Sequence, residues 1–302
     1  MTDRENFYLT LISDSSKTYF PNNTSTHFCT QLPRSLHLDG EWCVGLAEIQ
    51  YPCSFLTIQE GENIVYYTFN VDFKDPLCRD ILTGYLEDKY LSMWLDQQMK
   101  RYQYNSVDDI LSNENADFFP ADGVKSKTKI DAGNYESIDS ILAALNQNPV
   151  ISGNNVRFTI DEKTKKVRVA SSSVNLTSLI LSPKLNLQLG FEPNTNILNK
   201  FSTHPSNILL GLPSHFFTYC DIIEPQLIGD VVAKVLRIVV LDNTRYTYGV
   251  QHVQFFSQPH YVPVLKREFE NIEIDIRSNT GEKIPFQFGT VSVKLHFKKL
   301  SR

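Results

Sequence analysis

Apolar and polar residues alternate most cleanly near the end of the chain. In Thr290–Phe297, Val291, Val293, Leu295 and Phe297 fall on one face and Ser292 and Lys294 on the other. Phe269–Ile276 repeats the pattern, with Ile272, Ile274 and Ile276 set against Asn271, Glu273 and Asp275. Period two with one apolar face predicts antiparallel strands that rest one side on a core. Strand-grade runs also cover Phe7–Ile12, His27–Leu32, Glu41–Tyr51 and Asn63–Phe73 near the start, and Phe216–Ile223 and Val231–Leu241 before the last pair. That gives four runs at each end. Most stop at a Pro or an Asn-rich turn, such as Pro21-Asn22-Asn23, Pro52 and Glu224-Pro225. The pattern predicts a sandwich or barrel whose first and last strands meet.

The middle of the chain has a different texture. Asp80–Gln103 spaces Leu86, Tyr90, Met93, Trp94 and Gln97 as a helix would, and Ser137–Asn146 carries the stripe Ile138, Ile141, Leu142 and Leu145 before Pro149. Asn113–Thr128, broken by Pro120 and Gly123, predicts a loop. Val156–Ile160 and Lys166–Val169 predict a hairpin around Asp161–Lys165, and Ser182–Phe191 closes the section.

Composition narrows what such a fold does. The 302 residues carry a net charge of −5, with no basic excess of the kind that grips phosphate backbones. No specific nucleic-acid partner is therefore expected. The basic cluster Lys163, Lys165, Lys166 and Arg168 lacks interleaved aromatics and predicts a solvated hairpin tip. Cys29, Cys43, Cys53, Cys78 and Cys220 are odd in number and widely spaced, so they predict buried free thiols, not a zinc site or a disulfide framework. The polar start, Met1–Asn6, predicts no signal peptide, and no apolar run is long enough for a membrane span. Without a secretory context, the Asn-x-Ser/Thr matches at Asn22, Asn23 and Asn175 read as turn residues.

Signs of catalysis are weak. Neither glycine-rich phosphate motif occurs, and Gly211-Leu212-Pro213-Ser214 is a poor nucleophile elbow because Pro213 interrupts it. The seven histidines form no HxH or HxxxH pair, so no metal site is expected. Glu273 and Asp275 sit on the polar face of a strand and predict solvating groups before acid–base roles. No catalytic residue and no cofactor is assigned.

Two features stand out. In Trp42–Glu48, Cys43, Gly45 and Ala47 share one face, a small-residue stripe that suits close approach of another backbone. Glu48 would continue the opposite, large apolar face with Trp42, Val44 and Leu46, where a carboxylate needs a partner. The second feature is Glu224-Pro225-Gln226-Leu227-Ile228-Gly229-Asp230, a loop signal between two apolar strands. Glu224, Pro225, Gln226 and Gly229 are candidates there for an interface.

Five segments, in order, carry a family likeness: PNNTSTHFCTQLPRSLHLDGEWCVGLAEIQYP, NYESIDSILAALN, LNLQLGF, YCDIIEPQLIGDVVAKVLRIV and QPHYVPVLKREFENIEIDIRSNTGEKIPFQFGTVSVKLHF. Together the chain resembles the minor capsid, or penton, proteins of Polinton (Maverick) and adintovirus-like elements. Residues 75–129 have no counterpart in that resemblance. It implies a single jelly roll assembled as a homopentamer at the vertices of an icosahedral virion, beside double-jelly-roll major capsid protein, and built inside the host cell without secretion. The expected fold is then mainly β: a single eight-stranded jelly-roll sandwich from residues 1–74 and 202–302, with an inserted α/β module at 75–201. Another capsid subunit of the same elements, major or cement, is the alternative. A sugar- or peptide-binding sandwich or a cupin-like enzyme is a more distant one. Jelly-roll winding makes the third and sixth strands neighbours. If Val231–Leu241 is the sixth, Glu48 either pairs with Arg237 across that contact or reaches solvent past Ile49.

Overall fold

The computed structural model of the chain describes residues 5–69, 100 and 124–300. It opens with three strands, β1 (Asn6–Ile12), β2 (His27–His37) and β3 (Trp42–Pro52). The middle follows with β4 (Ile64–Phe69), β5 (Val124–Lys129), helices α1 (Ile138–Gln147) and α2 (Pro149–Gly153), strands β6 (Val156–Ile160), β7 (Val167–Ser171) and β8 (Leu176–Leu181), and helix α3 (Pro183–Gln188). The last third holds β9 (His215–Cys220), β10 (Gln226–Ile228), β11 (Val231–Ala233), β12 (Val235–Val240), β13 (Gln251–Phe255), β14 (Val262–Pro263), β15 (Glu268–Arg277) and β16 (Ser292–Lys299). The protein is mainly β with several antiparallel sheets, consistent with the jelly-roll class expected from the sequence.

The chain divides into two compact units, Met1–Leu56 with Leu212–Arg302, and Thr57–Gly211. The division falls earlier and later than the expected breaks at 74/75 and 201/202. The cause is β4. Its residues pair with β5 on one side and β8 on the other, so the run expected as the fourth sandwich strand belongs to the second unit.

In the first unit, one sheet runs β1-β16-β3-β13 and the other β12-β9-β15-β2. The first and last strands are neighbours, with Phe7 opposite Phe297 and Leu11 opposite Val293. Val291, Val293, Leu295 and Phe297 are fully buried, as their alternation predicts. So are Ile272, Ile274 and Ile276 from β15 and Phe216 from β9, on the facing sheet.

The second unit has a three-stranded sheet, β5-β4-β8, a separate hairpin, β6–β7, and the helices. Ser137 caps α1 reciprocally with Ser140, and Ile141, Leu142 and Leu145 point into the core beside Phe158 and Val169. Asn146 on the same helix clamps β6, donating from Nδ2 to the Phe158 carbonyl (2.9 Å) and accepting the Phe158 N–H (2.8 Å). The polar stretch expected as a loop to Thr128 contains β5, which pairs residue for residue with β4. Ser182–Phe191 contains α3, with Leu185 and Leu189 buried. The helix predicted over Asp80–Gln103 lies outside the described residues apart from Lys100.

Candidate interaction surface

The outward face of the β1-β16-β3-β13 sheet is shaped by one extra residue in β3. Leu46 pairs with Leu295 and Glu48 with Lys294, so Ala47 has no opposite number. A bulge of this kind turns every later side chain over to the other face. Val44 and Leu46 point into the core before it, and Ile49 and Tyr51 after it; all four are buried. Glu48 is therefore on the outer face, not on the apolar one that simple alternation gives. There its carboxylate accepts from the Lys294 ammonium and from Gln50 Nε2 (2.9 Å). The Lys294 bond first, then Gln50, holds this acid below the usual carboxylate range.

Arg237 is not its partner. It lies on β12, in the other sheet. Its guanidinium sits 3.9 Å from the ring centre of Phe256 and donates to the Gln258 carbonyl at 3.3 Å. The third and sixth sandwich strands are indeed paired, but the sixth is β13, whose Phe255 opposes Glu48. Counting β4 into the sandwich and passing over β13 displaced the pairing by one strand.

The small-residue stripe does admit a second backbone. After β13, the chain makes an excursion over residues 256–261 and rejoins the same edge of β3 as β14, with Val262 opposite Val44. At Gly45 a Cβ would come within 2.8 Å of Pro259 Cβ and 2.9 Å of the His260 carbonyl oxygen. Further along the excursion, the Tyr261 hydroxyl shares a 2.7 Å hydrogen bond with Nδ1 of His296, whose ring stacks on Tyr8 at 4.3 Å. Burial, then the nearby Lys298 charge, lowers the His296 pKa, so the ring is neutral around pH 7.

Between the excursion and the sheet lies an open groove of about 730 Å³. Tyr8, Phe255 and Tyr261 wall it, and Glu48, Lys294 and His296 form its polar floor. Phe255 is 71% exposed and Tyr8 60%, although both belong to strands.

The segment carrying Glu224, Pro225, Gln226 and Gly229 is a β-hairpin where a loop was expected. Gln226 begins β10, which pairs with β11 through Leu227–Val232 and Ile228–Val231, and Gly229-Asp230 makes the two-residue turn. Gly229 takes φ +60°, in the left-handed region that such turns require. Glu224 and Pro225 are exposed at its base, where Gln226 Nε2 ties it to the Val235 carbonyl at 2.8 Å. Leu227 (81% exposed), Val232 (67%) and Val231 (54%) leave it apolar on both faces.

Elsewhere the chemistry is quiet. Glu273 bonds His27 at 2.8 Å, and Asp275 bonds Arg277 at 2.6 Å. Cys43, Cys53 and Cys220 are buried and Cys29 half-buried, all free; burial pushes the Cys220 thiol up to about 12. Cys78 lies outside the described residues. Lys163 and Lys165 are exposed at the tip between β6 and β7, and Arg168 is exposed on β7 beside Phe201. Among the described residues no cluster of three or more His, Cys, Asp or Glu could hold a metal ion, and no helix is long and apolar enough to cross a membrane.

Among the solved structures that resemble the chain are two virophage proteins. One is the mavirus penton protein, with 12% identity and a TM-score of 0.49 over 98% of this chain and 100% of that one. The other is a chain of the Sputnik virophage particle, with 12% identity and a TM-score of 0.45 over 98% of both. No family model and no curated protein matches the chain.

Proposed function

We propose that this protein is a structural vertex subunit, a penton or minor capsid protein of a Polinton/adintovirus-like particle, and not an enzyme. The observation that carries the proposal is the strand order of the first unit. Numbered along the chain, its eight long strands stand 1-8-3-6 in one sheet and 5-4-7-2 in the other. That order supports reading the first unit as a single jelly roll. The five-segment likeness to penton proteins points to the same place in a virion. The subunit closes as a homopentamer through a head-to-tail contact, since a repeated heterologous contact with a fixed rotation makes a ring. Its partners are copies of itself and the double-jelly-roll major capsid protein, in the capsid of a particle assembled inside the host cell.

Native mass measurement tests this, on the chain alone at high concentration and mixed with major capsid protein. Five-fold rings are expected in at least the second case. A two-fold dimer as the sole assembly under both conditions overturns the proposal.

A further inference from the structure

Leu227, Val231 and Val232 cannot be covered by the hairpin that carries them. Two-stranded hairpins are marginal in water by themselves, and this one has apolar side chains on both faces with only a Gly-Asp turn at its tip. A Cβ built on Gly229 meets nothing within 4 Å among the described residues, so the turn has open space around it. Exposed apolar surface of this kind marks an interaction site.

The same unit holds a matching concavity. The groove beside the 256–261 excursion falls in the size range, about 300–1,000 Å³, that accepts a compact apolar guest. Two of its aromatic walls, Tyr8 and Phe255, are exposed, and its carboxylate, Glu48, is already committed to Lys294 and Gln50. Charge agrees with shape. Between residues 222 and 233 the hairpin segment carries Glu224 and Asp230 and no cation. On the outward row of β16, Lys294 is taken up by Glu48, and the exposed Lys298, two residues beyond His296 of the groove, supplies the open positive charge.

We infer that the β10–β11 hairpin is an assembly arm that seats in the Tyr8–Phe255–Tyr261 groove of a second copy of this chain. Arm and groove are different surfaces, so the contact is heterologous, and each subunit offers one of each to its neighbours. Leu227 and Val232 bury their shared face against the aromatic walls, and Asp230 lies toward Lys298 of β16. This rests on the ring-forming reading above and adds to it the surfaces that meet.

A photo-cross-linking residue in place of Leu227, in the full chain at high concentration and again with major capsid protein, tests the contact. Intermolecular adducts to residues 255–261 or 294–298 are expected, in a ladder ending at the ring. A second variant, Leu227→Asp, should weaken self-association at least tenfold and leave thermal melting unchanged. Adducts from hairpin to hairpin, or rings whose adducts fall elsewhere, overturn the arm assignment; in the second case the vertex reading stands. Absence of any ring, by mass, in both conditions removes the arm and the vertex reading together.

Discussion

Adding one methyl group to Gly45 tests how the 256–261 excursion lies across β3. The new Cβ would meet Pro259 Cβ at 2.8 Å and the His260 carbonyl oxygen at 2.9 Å, and neither is the far end of a flexible side chain. Gly45→Ala should therefore cost about 1–3 kcal/mol, the usual price of overpacking a fitted contact. Denaturant titration measures the loss, and unchanged stability would mean that the excursion is free to lift. The neighbouring Glu48–Lys294 pair has a pH signature. The carboxyl pKa is lowered in the fold, so its contribution is present above the unfolded value of about 4.3 and is lost as pH falls through the folded value. Lys294→Met removes the largest cause of that lowering. The variant should lose about 1–2 kcal/mol at pH 7, between the values for exposed and fully buried pairs because Lys294 is 38% exposed. Its deficit against the natural chain should shrink between pH 5 and pH 3. A deficit that stays constant with pH would assign the loss to packing. The face Glu48 occupies was not legible in the sequence. An extra residue at Ala47 reverses the alternation after it, and nothing in Leu46-Ala47-Glu48 announces a bulge.

Strands were legible where burial and polarity agree. β15 and β16 put their Ile, Val, Leu and Phe side chains inward, so periodicity alone finds them. β13 does the opposite. None of its five residues is buried, His252 and Gln254 are half-buried, and Val253 and Phe255 are exposed, so its pattern resembles a loop. β5 was hidden for another reason. Its sequence, VKSKTK, holds no apolar residue after Val124, yet an edge strand guarded by lysines needs none, since its backbone pairs with β4 on one side and its charges discourage pairing on the other. α1 was legible almost to the residue, because its apolar stripe, its serine cap and Pro149 all agree. The clamp it places on β6 was not, since Asn146 is an ordinary polar residue until the fold sets it beside Phe158. Asn146→Ala leaves the Phe158 N–H and carbonyl without that partner. It should destabilise the second unit by about 1–3 kcal/mol. Faster hydrogen exchange at the Phe158 amide is the specific readout, and protection equal to that of the natural chain would show that water replaces the clamp at no cost.

At the scale of the molecule, the first unit is closed by residues nearly 300 positions apart, and that closure can be cut. β16 lies between β1 and β3, so it is an interior strand although it ends the described chain. Its removal strips a hydrogen-bonding partner from both neighbours and uncovers the side of the core that faces Ile272, Ile274 and Ile276. Fully burying a large aliphatic or aromatic side chain stabilises by about 1.5–3 kcal/mol. Val291, Val293, Leu295 and Phe297 are all fully buried, so together they contribute on the order of 8 kcal/mol. A domain's whole margin of stability is about 5–15 kcal/mol, which leaves no room for that loss. A chain ending at Gly289 should therefore fail to fold its first unit. The second unit, Thr57–Gly211, has its own core around Leu145, Phe158 and Leu185, and does not draw on β16 for it. Hydrogen exchange on the truncated chain separates the two. Amides of β2, β3, β9 and β15 should lose protection, while those of α1, β6 and β8 keep it. Protected amides in β3 and β15 of the truncated chain would show that the remaining strands close the sandwich without the last one.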